Sequence, residues 1–152
     1  MPVGFAPEEI TTNEPTRSAR LKWVVVVNAS LPPGIATNAA ICVAAATARE
    51  VTGLAGPDGK DAQGVVHPGL PWAGCTVLTA AADALTRLRE RAGGSDDVHV
   101  ADMPAAAQHT RVYDEYLEVL STTAPEDVEY YAVSVVGPRN RVAKLVKGLE
   151  LM

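Results

Sequence analysis

Cysteine, histidine, aromatic residues and net positive charge are all scarce in this chain, and each shortage removes a class of function. Cys42 and Cys75 are the only cysteines among 152 residues. They sit in apolar runs without paired spacing, so neither a disulfide framework nor a zinc site is expected. His67, His99 and His109 have no metal-ligand spacing among themselves, and no metal or cofactor is expected. Acidic residues outnumber basic ones by 18 to 13, giving a formal charge of -5 and a pI near 5.1. A surface that neutralises phosphates needs clustered Lys and Arg, so tight nucleic-acid binding is disfavoured.

Other absences concern location and catalytic motifs. The lead Met1 to Arg20 carries Glu8, Glu9 and Glu14 and no apolar core, so it does not read as a secretory signal. The apolar stretch Val24 to Ala48 is broken by Pro32, Pro33 and Gly34, which makes it two buried elements joined by a turn rather than a membrane span. A cytoplasmic protein is the expectation. No Gly-x-Ser-x-Gly elbow surrounds a serine, and no glycine-rich phosphate loop is followed by a lysine.

What is present points to one α/β domain over residues 21–152, preceded by a flexible arm at 1–20. With 47% apolar and 20% charged residues, the chain can bury a core without covalent staples. Lys22 to Asn28 is a continuous β-branched strand, and Ile35 to Val51 an Ala-rich helix directly after it. Six glycines and three prolines then fill a long loop from Gly53 to Gly74. Strands at Cys75 to Ala80, Asp97 to Asp102 and Tyr130 to Val136 alternate with three further helices. That order predicts a three-layer α/β/α fold with a mixed, mostly parallel four-stranded sheet, its site outside the carboxyl ends of strands. Helix one is apolar nearly all round, which predicts a homo-oligomer that covers its outer face.

Seven residues stand out as site candidates. His67 lies in the Gly/Pro loop with Asp61 six positions earlier, and histidine is the side chain suited to acid-base work near neutrality. Asp102 ends a strand where ligands bind, or caps a turn. Asn28 and Gly34 frame the turn after strand one. Asn38, on the first turn of an apolar helix, needs partners for its amide, from a ligand or from the loop before it. Gln108 offers a second amide, with pinning of a helix start as the structural alternative.

Four segments carry a resemblance: VVVVNASLPPGIATNAA, DAQGVVHPGLP, VADMPAAAQHTRVYDEY and YYAVSVVGPRNRVAKLVKGLEL. Together they resemble the family catalogued as domain of unknown function 2000, from about Leu21 to the end. That family is similar in fold to the archaeal and eukaryotic type of peptidyl-tRNA hydrolase. Those hydrolases open helix one with a Gly-Lys pair, whereas here Gly34 is followed by Ile35. Asn38 and Asp102 fall near the hydrolases' amide and aspartate positions, but Met103 to Gln108 lacks their Gly-Arg-Thr stretch.

The expectation is therefore a non-hydrolytic domain that binds a small ligand or regulates, on a peptidyl-tRNA-hydrolase-like scaffold. The alternative is an enzyme acting on a small ester, amide or nucleotide-like substrate, with His67 or Asp102 as base and Asn38 or Gln108 as positioning donors. Peptidyl-tRNA hydrolysis itself ranks last.

Overall fold

A strand that is apolar at consecutive positions must be covered on both faces. The computed structural model, which describes residues 2–152, is built around one. Strand β1 (Leu21–Asn28) leads into helix α1 (Pro33–Glu50). A small hairpin, β2 (Gly59–Lys60) and β3 (Val66–His67), occupies the long loop, followed by β4 (Thr76–Ala80) and α2 (Ala82–Gly93). Then come β5 (His99–Pro104), α3 (Ala105–His109), α4 (Tyr113–Ser121), β6 (Tyr130–Pro138), α5 (Arg139–Leu145) and β7 (Glu150–Leu151). No helix among the described residues is long and apolar enough to cross a membrane.

The main sheet has five strands in the order β5-β6-β1-β4-β7, not four, and only β1 and β4 pair in parallel. β6 lies antiparallel to both β1 and β5, and β7 antiparallel to β4. Both departures from the expected sheet have local causes. The segment after β5 forms two short helices rather than one long crossover, so the chain re-enters the sheet at the end where it left. Gly148 adopts φ +85 and ends the last helical stretch early, which frees Glu150 and Leu151 to pair with β4.

Alternation along β1 divides the core. Trp23, Val25 and Val27 meet Ala36, Ala39 and Val43 of α1, while Val24 and Val26 meet Leu85 and Leu88 of α2 and Val142 of α5. The lead expected as a flexible arm is laid against the α1 layer. Phe5 is buried, its amide donates to the Thr52 carbonyl at 2.8 Å, and its ring packs on Trp72 at 4.8 Å. Gly53 admits this approach, since at φ +78 a Cβ there would lie 2.9 Å from the Phe5 carbonyl oxygen. Val3, Phe5 and Ile10 share the core cluster on the α1 side but keep no helical or strand period, so pattern alone missed them.

Two hydroxyls cross the α1 layer. The Trp23 indole N–H donates to Ser134 Oγ at 2.8 Å, Ser134 meets Thr47 Oγ1 at 2.7 Å, and Thr47 donates to the Val43 carbonyl at 2.7 Å. Each hydroxyl has one proton, so Ser134 must donate to Thr47 and every link is satisfied. Ser134→Ala leaves the indole N–H buried without an acceptor and is expected to cost about 1–3 kcal/mol in urea denaturation. Trp23→Phe should cost less in the Ser134→Ala background than in the wild type. Equal costs would show that the link carries no coupling.

Candidate functional site

β1 and β5 run in the same direction, so Asn28 and Asp102 come to the same end of the sheet. There, α1, the end of β5 and the segment from Ala107 to Tyr116 enclose a cleft of about 550 Å³. Asn38 and Cys42 of α1 line it, with Asp102 at the end of β5 and Arg111, Tyr113 and Tyr116 from the segment beyond. Asn38 and Asp102, distant in the sequence, thus share one cavity.

Asn38 is exposed to the cleft, and its Oδ1 meets only the Cys42 thiol, at 3.8 Å. Its amide is therefore solvated, which removes the cost expected of a polar group on an apolar helix. Asp102 is fixed by a residue that sequence reasoning missed. Arg89 of α2 reaches it with Nε 2.7 Å from Oδ2, and both side chains are half-buried. No local spacing connects Arg89 to Asp102, because the pair joins a helix to an edge strand. Among the described residues Asp102 Oδ1 has no protein donor, so it is free to accept from a ligand.

Two phenols stand near this carboxylate. Burial, and then the Asp102 charge, push the Tyr116 hydroxyl above its ordinary value, and the same two causes act on Tyr130. Both remain neutral donors at physiological pH. Arg111 forms no ion pair among the described residues. The cleft therefore offers a fixed acceptor, an unpaired cation, an amide and the phenols of Tyr113 and Tyr116 over a floor of Ala45, Ala46, Met103 and Pro104, with Tyr130 outside its lining. Neither histidine nor lysine lines it, and Cys42 has no base beside it.

The remaining candidates lie elsewhere. Asn28 is buried, and its Oδ1 accepts from the Ser30 amide at 2.9 Å and hydroxyl at 2.7 Å, which ties down the turn before α1. Gly34 is exposed on the first turn of α1, where a Cβ would meet nothing within 4 Å. Gln108 is half-buried on α3, outside the cleft lining. His67 and Asp61 do meet, Nε2 to Oδ2 at 3.4 Å, but on the exposed β2–β3 hairpin, and His67 lines a different cavity with Pro57 and Trp72.

Asp61 has a structural task there. Its Oδ1 accepts from the Gln63 amide at 2.9 Å and the Val65 amide at 3.0 Å, and these bonds, with a smaller part from His67, hold its pKa below 3.8. Among the described residues no group of three or more His, Cys, Asp or Glu could hold a metal ion. Asp61→Ala should speed amide exchange at Gln63 and Val65, whereas His67→Ala should leave both protected. Equal effects would give the histidine, not the carboxylate, the organising role.

His99, on β5, was not a candidate, yet its Nε2 is the buried side-chain polar atom without a partner among the described residues. Burial lowers its pKa from 6.5, against a smaller opposing effect of Glu50. The folded state thus takes up fewer protons than the unfolded chain as pH falls below about 6.5, so stability is full above that pH and declines beneath it. Between pH 7 and 5 the wild type should lose more stability in urea than His99→Leu. Identical pH dependence would contradict this.

A family model described as protein of unknown function, DUF2000, matches residues 21–152. No curated protein matches the chain. A solved structure of a protein of unknown function from Agrobacterium tumefaciens is similar, with a TM-score of 0.81 at 18% identity, covering 88% of this chain and 98% of that one. At that identity the likeness concerns the fold alone.

Proposed function

Taking as premise that the chain belongs to the DUF2000 family, whose function is unknown, we propose that it is a non-hydrolytic ligand-binding domain with its site in the α1–β5–α4 cleft. The observation that supports this best is the meeting of Asn38 and Asp102 across one cavity, with Arg89 holding the carboxylate in place. A half-buried partner that orients a site carboxylate limits the freedom lost when a ligand arrives. The ligand would carry a hydrogen-bond donor for Asp102, an acceptor or anionic group for Arg111, and an apolar body of small-molecule size.

The scaffold reading, a fold like that of the peptidyl-tRNA hydrolases, is part of the same proposal. Hydrolysis is not, because the cleft lining has no lysine and no nucleophile–base pair. The enzyme alternative with His67 as base loses ground, since His67 and Asn38 line different cavities. A second copy of the chain is proposed to cover the outer face of α1, where Ile41 is 62% exposed.

Two experiments test these points. In a fragment screen read by amide chemical shifts, hits should move Asn38, Asp102 and Tyr113 together. Asn38→Leu and Asp102→Asn should each weaken them about tenfold, the loss of one good polar contact. Hits that cluster outside the cleft would overturn the reading, as would peptide release from peptidyl-tRNA by the wild type that Asp102→Ala abolishes. Light scattering at micromolar concentration should give a dimer that Ile41→Lys dissociates, and a wild-type monomer would remove the second copy.

A further inference from the structure

The opposite end of the sheet carries a second concavity, with different chemistry. β1 begins at Leu21, but its parallel partner β4 begins only at Thr76, opposite Val24. Three residues of β1 therefore extend past β4, and the chain before β4 turns away through Gly74 at φ +76. The notch so formed has a volume of about 270 Å³ and is closed by the 3-10 turn Thr16–Ser18 and by Arg139 at the start of α5.

Arg17, Lys22 and Arg139 all line this notch, and no acidic residue does. None of these three cations is in an ion pair among the described residues. Arg139 is held in advance, its Nε donating to the Ala19 carbonyl at 3.0 Å and Nη2 to the Thr16 carbonyl at 3.1 Å, with both Nη1 protons and the second Nη2 proton left over. Hydroxyls of Thr16 and Thr76 complete a polar lining. The neighbouring basic cavity, with Arg141 and Lys144, differs in containing its own counterion. There, Asp97 lies 3.4 Å from Arg141.

Like charges gathered in one concavity repel one another and focus a positive potential, and an arriving anion relieves both. That such a cluster occurs on a chain of formal charge -5 makes it a local departure from the overall charge balance. We propose that the notch binds a phosphate or diphosphate group, with the guanidinium of Arg139 as the planar donor and Lys22 and Arg17 as flanking charges. A fixed guanidinium matches two phosphate oxygens at once, and an ammonium serves as a point charge. At about 30 Å³ per water, the volume of about 270 Å³ holds roughly nine waters, enough for a diphosphate with part of its hydration shell. The notch and the cleft lie at opposite ends of β1, so this site does not depend on the cleft's being occupied.

The test titrates the full-length protein with pyrophosphate, inorganic phosphate and glycerol phosphate, at ionic strength matched with sodium chloride, and follows the amides of Arg17, Gly74 and Thr76 together with heat. Saturable shifts at those amides are expected. Arg17→Gln with Lys22→Gln should weaken binding at least about tenfold, and Arg17→Gln alone, on an exposed turn, by a smaller factor. Lys144→Gln should leave it within about twofold, as expected for a screened charge outside the notch lining. Tightest binding of pyrophosphate or phosphate would identify a free anion as the ligand, and tightest binding of glycerol phosphate a phosphate ester. Shifts that rise linearly to about 10 mM without saturating, or equal binding by the double variant, would overturn the proposal.

Discussion

β1 has neither a free face nor, over most of its length, a free edge, and much of the structure follows from that confinement. Its valines are buried between α1 on one side and α2 with α5 on the other. Its edges are taken by β4 in parallel and β6 antiparallel. Fully burying a valine is worth about 1.5–3 kcal/mol, so the buried run from Val24 to Val27 is a large local source of stability and leaves α1 no choice of face. The chain of donors from Trp23 through Ser134 to Thr47 then fixes where along the sheet α1 sits. With α1 placed, Asn38 and Cys42 must overlook the end of β5.

The same confinement creates the notch. β1 is longer than β4, and the excess at its start has no parallel neighbour. Concavities at the two ends of one strand thus differ in kind. At the carboxyl end an ion-paired carboxylate, an amide and phenols surround an apolar floor, whereas at the amino end the lining is polar and its charge is positive. A small molecule with an apolar body suits the first, and a compact anion the second.

Much of the fold was legible where periodicity speaks. The β1 run, the Ala-rich α1 and the Leu85, Leu88 and Ala92 face of α2 follow the pattern of apolar residues alone. Strand direction did not, because nothing in Tyr130 to Val136 encodes whether the chain re-enters the sheet from the near or the far end. β7 is too short to show a period, and the lead's core contacts, Val3, Phe5, Ile10 and Ala19, fall at no regular spacing. The site was half legible. Asn38 and Asp102 could be named from their places at element ends, but Arg89 could not, since its partner is brought to it only by packing α2 against the edge of the sheet. His67 and Asp61 do meet, and the hairpin that joins them also carries them away from the cleft.

The two cysteines report on the central claim directly. Both thiols are exposed, Cys42 lining the cleft and Cys75 the notch, where partial desolvation pushes its pKa up to about 11, so Cys75 serves as an internal reference. The decisive measurement is the alkylation rate of each thiol, by mass spectrometry, with and without a small molecule that raises the melting temperature. A cleft ligand slows Cys42 and leaves Cys75 unchanged. A neutral small molecule that stabilises the protein yet leaves both thiol rates untouched would contradict the assignment of the cleft as the binding site.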